Sequence, residues 1–285
     1  MMEERLEGGH TTEVVRVGDT VRRPVGAWTP AVHALLRHLI SVGFDGAPQV
    51  LGVDDRGREV LGFVEGEVGT LSPDSPLPPW FRTPHACRAV GRWIRSFQEA
   101  QRGFRPDVAH PWRRSPGVDL GPGQVVVHHD VSPYNTVRTA AGSIVILDWD
   151  FARPGDPIEE IAWAAWRWAP LCAGTWWHAE YGIEAAEDVP ARQRENLAAL
   201  LDGYGADDQQ RRRLADAITA QMTGHADDLE DMARTDPAFA TLIDRGYADA
   251  ARADAAWWAE SSLRRDVDTG TTRLRWDEVR PADRW

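Results

Sequence analysis

The sequence predicts an α+β protein: a β-rich N-terminal part with one helix, then a linker, then a mostly helical part that contains a short hairpin. Three features of the 285 residues predict this order. Short strand-like runs come first, a Pro- and Gly-rich stretch covers 65–80, and helical spacing dominates after Pro157. We therefore expect an N-terminal lobe over 1–65, a larger C-terminal lobe over 66–265 and a tail over 266–285.

The N-terminal part shows paired strand signals around one helix. Gly18-Asp19 suits a tight hairpin, and Thr29-Pro30 is typical of a helix start, with Thr29 as N-cap and Gly43 as the stop. The predicted strands cover 13–17, 20–23, 49–53 and 59–64.

The C-terminal part alternates helical spacing with one pair of apolar strands. The strands, 124–127 and 144–147, are expected to form a hairpin around Ala140-Ala141-Gly142. The predicted helices cover 84–101, 158–179, 191–203, 207–233 and 237–262.

The charge balance narrows the classes of function. Lys and Arg together number 32 and Asp and Glu 44, so the net charge is −12, and every one of the 32 cations is Arg. A nucleic-acid binder needs a basic surface, so we expect no nucleic-acid partner, whereas a cationic substrate is tolerated. Two cysteines make no disulfide framework, and no signal peptide or membrane span is visible, so we expect a cytoplasmic protein.

Polar residues directly after two apolar strands are the most informative feature. His128 and Asp130 follow the strand 124–127, Asn135 comes five residues after Asp130, and Asp148 follows the next strand. Polar groups at such places are costly unless they are paired or bind something. A structural loop with capping Asp and Asn residues is the alternative.

This residue set fits the transfer of a phosphoryl group. One carboxylate must orient the attacking hydroxyl and take its proton, and oxygen ligands must hold Mg²⁺ on the nucleotide phosphates. Protein kinases use an HRD…N loop and a later Asp for these roles. Here the pattern is His-x-Asp-x4-Asn, with Asp148 thirteen residues after Asn135.

These motifs resemble the aminoglycoside phosphotransferase and choline kinase family, whose members are similar in fold to protein kinases. The matching residues are His128-His129-Asp130 with Asn135, Ile146-Leu147-Asp148-Trp149-Asp150, and Gly155-Asp156-Pro157 with Glu160 and Ala162. The resemblance implies ATP and Mg²⁺ as cofactors and a two-lobed, protein-kinase-like fold. It implies that Asp130 is the catalytic base, that Asn135 and Asp148 bind Mg²⁺, and that His128 supports the loop.

Two parts of the nucleotide site depart from the family pattern. His129 stands where the family has Gly, and it either reaches the substrate or fills space. The Gly-rich segment 7–12, with Gly9 and Thr11, can cover phosphates through its N–H groups, but a plain hairpin turn is equally consistent.

The usual phosphate-binding lysine must be replaced by an arginine. Arg22 or Arg23 must serve, and we choose Arg22 because it shares a strand face with the small residue Thr20. The helix over 31–42 contains no acidic residue, so it offers no carboxylate partner to this arginine.

The remaining expected contacts concern adenine and the acceptor substrate. The run 61–66 resembles the hinge between lobes, where adenine would bond near Val64 and Glu65, although an ordinary strand gives the same run. Glu160 and Trp163 lie on one helix face and suit a cationic acceptor, as does Asp150. Tryptophans at this spacing also fit plain core packing.

The resulting function hypothesis is an ATP-dependent small-molecule phosphotransferase acting on a hydroxyl of an aminoglycoside-like or other amino compound. A choline-like or amino-sugar metabolite is the alternative acceptor. A kinase-like binding protein with little catalysis is the competing class, since lysine, the helix acid and a regular Gly loop are missing. A hydrolase using His128 or His129 lacks any Ser or Cys nucleophile motif.

Overall fold

The computed structural model describes residues 3–6, 14–69, 77–172, 174 and 189–268. The chain divides into two compact units: residues 1–71 with 96–160, and residues 72–95 with 161–285. This division groups the predicted catalytic loop with the N-terminal strands, so it differs from the lobe boundary predicted at residue 65. Gly9, Thr11 and the tail over 269–285 lie outside the described residues.

The strands of the first unit form three antiparallel sheets. The largest has the strand order β1-β2-β3-β5-β4, the second the order β6-β8-β9, and β10 pairs with β7. The strands are β1 Glu4–Leu6, β2 Val14–Val17, β3 Thr20–Pro24, β4 Val50–Val53, β5 Arg58–Gly62, β6 Glu67–Val68, β7 Val125–Val127, β8 Thr136–Arg138, β9 Ile144–Ile146 and β10 Arg153–Gly155.

The predicted hairpin between 124–127 and 144–147 is wrong in its pairing. β9 pairs with β8, through the turn at Gly142, and β7 pairs with β10. β8 is only three residues long and carries an arginine, so its sequence has no apolar run to reveal it. The consequence is that the loop over 128–135 connects two sheets.

One helix, α1 (Thr29–Ser41), accompanies the five-stranded sheet. It buries Val32, Leu35, Leu36 and Leu39 at the predicted helical spacing. Its N-cap is Trp28 rather than the predicted Thr29, whose hydroxyl instead accepts a hydrogen bond from the Gly26 N–H at 2.9 Å.

Helices make up most of the described part of the second unit. Two helices, Pro84–Ala100 and Pro157–Trp168, include residues assigned to both units. The predicted helix over 237–262 is divided at Gly246, which has φ +84°. The helices are α2 Pro84–Ala100, α3 Pro157–Trp168, α4 Val189–Tyr204, α5 Asp208–Ala233, α6 Pro237–Asp244, α7 Tyr247–Glu260 and α8 Ser262–Asp268.

The tryptophans of α3 belong to the core of the second unit. Trp163 is 3% exposed, and its ring packs edge-on against Trp166 and His225 at centroid distances of 5.5 and 5.0 Å. The Trp166 indole N–H donates to the buried Asp254 carboxylate at 2.9 Å. The expected substrate contact by Trp163 therefore gives way to core packing. Among the described helices, none is long and apolar enough to span a membrane.

Candidate active site

The loop after β7 places the carboxylate of Asp130 at the centre of a hydrogen-bond network. Its Oδ1 accepts from the hydroxyls of Ser132 at 2.7 Å and Tyr134 at 2.9 Å, and its Oδ2 accepts from Asn135 Nδ2 at 2.8 Å. The Asn135 amide also donates to the Asp130 carbonyl at 3.1 Å. These four residues close the loop on itself, so the carboxylate has one orientation.

The ring of His128 contacts the backbone of the loop, and burial keeps the imidazole neutral. Its Nδ1 accepts from the Asp130 N–H at 3.2 Å and its Nε2 lies 3.0 Å from the Leu147 carbonyl, which defines the Nε2–H tautomer. Burial lowers the pKa of His128 to about 4, and its ring packs edge-on against Trp149. Its position between the two loops fits the supporting role that the resemblance implies.

Glu160 on α3 binds the backbone of the same loop. Its carboxylate accepts hydrogen bonds from the N–H groups of His128 and His129, the latter at 3.3 Å. It is 1% exposed, and burial raises its pKa to about 8 despite the two backbone donors. Glu160 therefore positions the loop. The prediction that its carboxylate contacts a cationic acceptor is wrong, because the group is buried and bonded to the backbone.

His129, at the position of the family's glycine, adopts φ +64°. This left-handed conformation is the one that glycine tolerates best, which accounts for the usual residue at this point. The His129 ring points to Arg153, whose Nη2 lies 2.5 Å from Nε2, and Arg153 also binds Glu159 at 2.8 Å. Burial and the neighbouring Arg153 lower the pKa of His129 to about 3.

Asp148 lies two residues after the end of β9, and its side chain is partly exposed. It too has a left-handed backbone, φ +56°, and its side chain is 42% exposed. The Leu147 N–H donates to the Asn135 carbonyl at 2.7 Å, which ties the strand end to the catalytic loop. Because the Asn135 amide nitrogen faces the Asp130 carboxylate, its oxygen faces the other way.

Asn135 and Asp148 each carry a side-chain oxygen of the type that Mg²⁺ takes as a ligand. Mg²⁺ is usually held by one or two protein oxygens together with substrate phosphates, rather than by a complete protein cage. The described residues contain no group of three or more His, Cys, Asp or Glu that could hold a metal ion.

Arg23, and not Arg22, contacts the carboxylates of the site. Its Nη1 binds Asp148 at 2.9 Å, its Nη2 binds Asp150 at 2.8 Å, and its Nε binds Glu59. Each nitrogen of the guanidinium thus has its own carboxylate, and the pKa of Arg23 is raised because the three acids outweigh the opposing effect of burial.

Arg22 points to the opposite face of the strand. It lies 3.5 Å from Asp54 and donates to Thr20 Oγ1 at 2.5 Å. The prediction that Arg22 is the cation of the site is therefore wrong by one residue, because adjacent strand residues face opposite sides of the sheet.

Asp150 is enclosed between two arginines. Besides Arg23, Arg113 lies 3.5 Å from its carboxylate, and the Arg113 guanidinium rests over the rings of Trp28 and Phe151 at 4.5 and 4.9 Å. Burial raises the pKa of Asp150 in spite of Arg23. Its side chain is 12% exposed, so Asp150 belongs to the arginine cluster and does not offer a free carboxylate to a substrate.

Val64 and Glu65 lie in the irregular segment between β5 and β6. Their expected contact with adenine stays a prediction. The sequence leaves Arg22 and Arg23 as alternatives and indicates no role for Glu59 or His33. In the structure Glu59 stands directly opposite Arg23 in the pairing of β5 with β3. Choosing between neighbouring arginines requires that register, which the sequence alone does not supply.

Comparison with known proteins identifies the family and the fold of this chain. The phosphotransferase enzyme family matches residues 109–195, which include the loop over 128–135 and Asp148. The trifolitoxin immunity protein of Rhizobium leguminosarum bv. trifolii is 36% identical over 220 residues, covering 75% of this chain and 78% of that protein. The matched residues and the fold are thus those of a kinase-like phosphotransferase family. The chain belongs to the phosphotransferase enzyme family.

Solved structures confirm the kinase-like α+β fold. A choline/ethanolamine kinase family protein from Mesorhizobium loti matches with a TM-score of 0.57 and 20% identity, covering 95% of this chain and 93% of that one. An ADP-bound aminoglycoside phosphotransferase matches with a TM-score of 0.52 and 11% identity, covering 90% and 94%.

Proposed function

We propose that this protein transfers the γ-phosphoryl group of ATP to a hydroxyl group of a small molecule. The observation that carries the proposal is the Asp130 carboxylate, fixed by Ser132, Tyr134 and Asn135 in a loop that is tied to the strand end bearing Asp148. A base on one loop and a metal-ligating carboxylate on the next are the parts that phosphoryl transfer needs. Use of ATP would place the reaction in the cytoplasm.

Asp130 would orient the acceptor hydroxyl and take its proton. The donors on its two oxygens restrict the carboxylate to one direction, so the reacting oxygen would meet a fixed base. His128 stays neutral and Glu160 stays buried, and both hold the loop without taking part in proton transfer.

Asn135 and Asp148 would hold Mg²⁺ on the nucleotide phosphates, and the ion would neutralise the charge that develops on them. Arg23 would bind the phosphates from β3. Arg23 binds Asp148 and Asp150, so nucleotide binding would exchange part of these ion pairs for phosphate contacts. The ADP-bound structural relative supports a nucleotide as the donor.

The proposed acceptor is a hydroxylated amino compound of the aminoglycoside kind. The relative named as an immunity protein supports a toxic or antibiotic compound as the acceptor. The choline/ethanolamine kinase relative supports a choline-like amino alcohol as the alternative. Since Glu160 and Trp163 are buried, any cation-binding contact must come from other residues.

A kinase-like binding protein with little catalysis is the second candidate. The observation that favours it is the engagement of both Asp148 and Asp150 by Arg23, together with a helix α1 that carries no carboxylate. Such a protein would bind nucleotide and release no ADP.

The test is a turnover assay with Mg-ATP and a panel of aminoglycosides and amino alcohols, read as ADP release. Asp130→Asn should lower kcat by about 10²–10⁴-fold and leave the Kd of Mg-ATP unchanged, because a base acts in the transition state. Asp148→Asn should instead remove the Mg²⁺-dependent part of nucleotide binding.

Two outcomes would contradict the proposal. If Asp130→Asn retained most of its kcat with an accepted substrate, Asp130 would not be the base. If the wild-type protein bound Mg-ATP but no member of the panel stimulated ADP release, the binding-protein candidate would replace the enzyme.

A further inference from the structure

We propose that Glu59 and His33 together replace the helix carboxylate that normally pairs with the phosphate-binding cation of a kinase-like site. Glu59 on β5 orients Arg23, and His33 on α1 orients Glu59. The inference rests on the proposed function, since it assigns these two residues to the positioning of the proposed phosphate anchor.

The register of the sheet brings Glu59 to Arg23. The two residues are directly opposite each other in the antiparallel pair β3–β5, so their side chains leave the same face of the sheet. Glu59 Oε1 binds Arg23 Nε, while the other two nitrogens of the guanidinium bind Asp148 and Asp150. Glu59 thus holds the Nε edge and directs the Nη edge towards the proposed metal ligand.

His33 supplies the connection to the helix. Its Nε2 lies 2.8 Å from Glu59 Oε2, the oxygen that Arg23 does not use. His33 is 4% exposed and Glu59 2% exposed, so no solvent competes for either carboxylate oxygen. α1 contains no acidic residue, and its His33 is connected to the arginine through the Glu59 carboxylate.

The three carboxylates that bind Arg23 differ in exposure, and therefore in how readily a phosphate could replace them as partners of the guanidinium. Asp148 has a side chain that is 42% exposed, so phosphate and Mg²⁺ can take over its contact with Arg23. Glu59 is buried and bonded on both oxygens. It is therefore the partner that remains with Arg23 when nucleotide binds, as a positioning residue must.

The experiment measures the Kd of Mg-ADP by calorimetry for the folded full-length chain and its variants. Glu59→Gln should weaken binding about tenfold or more, as expected for loss of a hydrogen bond to a charged group. In the background of Arg23→Gln, Glu59→Gln should have little further effect, since the residue acts through Arg23. Asp54→Asn, which removes the carboxylate beside Arg22, is the matched control and should bind as the wild type does.

A second pair of variants keeps the inference testable if Glu59→Gln does not fold. His33→Leu, which cannot donate to Glu59, should weaken Mg-ADP binding several-fold. His33→Gln, which can donate, should restore most of the affinity. A merely structural role for His33 would not separate these two variants in affinity once both are shown to be folded.

The outcomes separate this inference from the proposed function. We call the connection from His33 through Glu59 to Arg23 the relay. If Arg23→Gln weakens Mg-ADP binding but folded Glu59→Gln and His33→Leu bind as the wild type does, the relay is wrong, and Arg23 remains the proposed phosphate-binding residue. An additive effect of Glu59→Gln in the Arg23→Gln background also overturns the relay. If the wild-type chain binds no Mg-nucleotide, the proposed function and the relay fail together.

Discussion

At the scale of single residues, His129 shows a conflict between side chain and backbone. It holds φ +64° next to the proposed base, a conformation that costs a residue with a Cβ atom roughly 1–2 kcal/mol. Glycine would adopt this conformation without strain. At His129 the contact of the ring with Arg153 helps to offset the strain. The contact with Arg153 favours the interpretation that His129 fills space beside the loop, and this role stays a prediction.

This conflict predicts an unusual ranking of two variants. His129→Gly should be more stable than His129→Ala by about 1 kcal/mol, because both lose the Arg153 contact but only alanine keeps the strained backbone. Urea unfolding followed by circular dichroism measures the difference. Equal stability, or a more stable alanine variant, would mean that the backbone at this residue is not under strain.

At the scale of elements, Glu160 connects α3 to the loop over 128–135 through a buried carboxyl group. In the unfolded chain this group loses its proton near pH 4.5, whereas in the folded chain its pKa is raised to about 8, chiefly by burial. The folded state therefore binds more protons than the unfolded state between these two values.

The sign of the resulting pH dependence follows from that proton balance. The contribution of Glu160 to stability is fully present below about pH 4.5 and is lost as the pH rises through 8, by at most about 1.4 kcal/mol per pH unit. Glu160→Gln should remove this contribution. The free energy of unfolding, measured for both proteins from pH 5 to 8, should therefore fall more steeply in the wild type, and parallel curves would refute the assignment.

Helices α2 and α4 of the second unit approach each other through two glycines. A Cβ atom on Gly91 would lie 2.2 Å from the Leu200 carbonyl oxygen, and one on Gly203 would lie 2.2 Å from the Arg88 carbonyl oxygen. Backbone atoms cannot move aside as a flexible side chain can. The close approach of these helices therefore requires glycine at both positions.

We expect Gly91→Ala to destabilise the protein by about 1–3 kcal/mol, since the helices must separate. Gly224→Ala on α5 is the control, because an added Cβ meets nothing within 4 Å there. It should stabilise by up to about 1 kcal/mol through its better helix propensity. Thermal unfolding of both variants checks the opposite signs, and two changes of the same sign would contradict the packing argument.

At the scale of the whole molecule, the cationic chemistry of the chain is carried by arginine alone. Arg23 contacts three carboxylates with three nitrogens, a geometry that one ammonium group would not reproduce with the same planar arrangement. The absence of lysine from the sequence therefore coincides with a cation site built for a guanidinium.

The fold class, most of the longer elements and the grouping of the central site residues could be predicted from the sequence, whereas the short strands β1, β6, β8 and β10 were not. Asp130 and Asn135 lie within one loop and Asp148 follows a short apolar strand, so local spacing is enough to associate them with phosphoryl transfer. The kinase-like α+β class is confirmed by the structural relatives. The roles of the individual site residues stay predictions.

Only the tertiary structure decided which charged groups meet and which are buried. Arg22 and Arg23 are adjacent in a strand, and the face that each occupies depends on the pairing of β3 with β5. Glu160 and Asp150 look like accessible carboxylates in the sequence, yet burial and long-range partners take both away from a substrate. Spacing along the chain determines local chemistry, whereas register and burial depend on residues far apart in sequence.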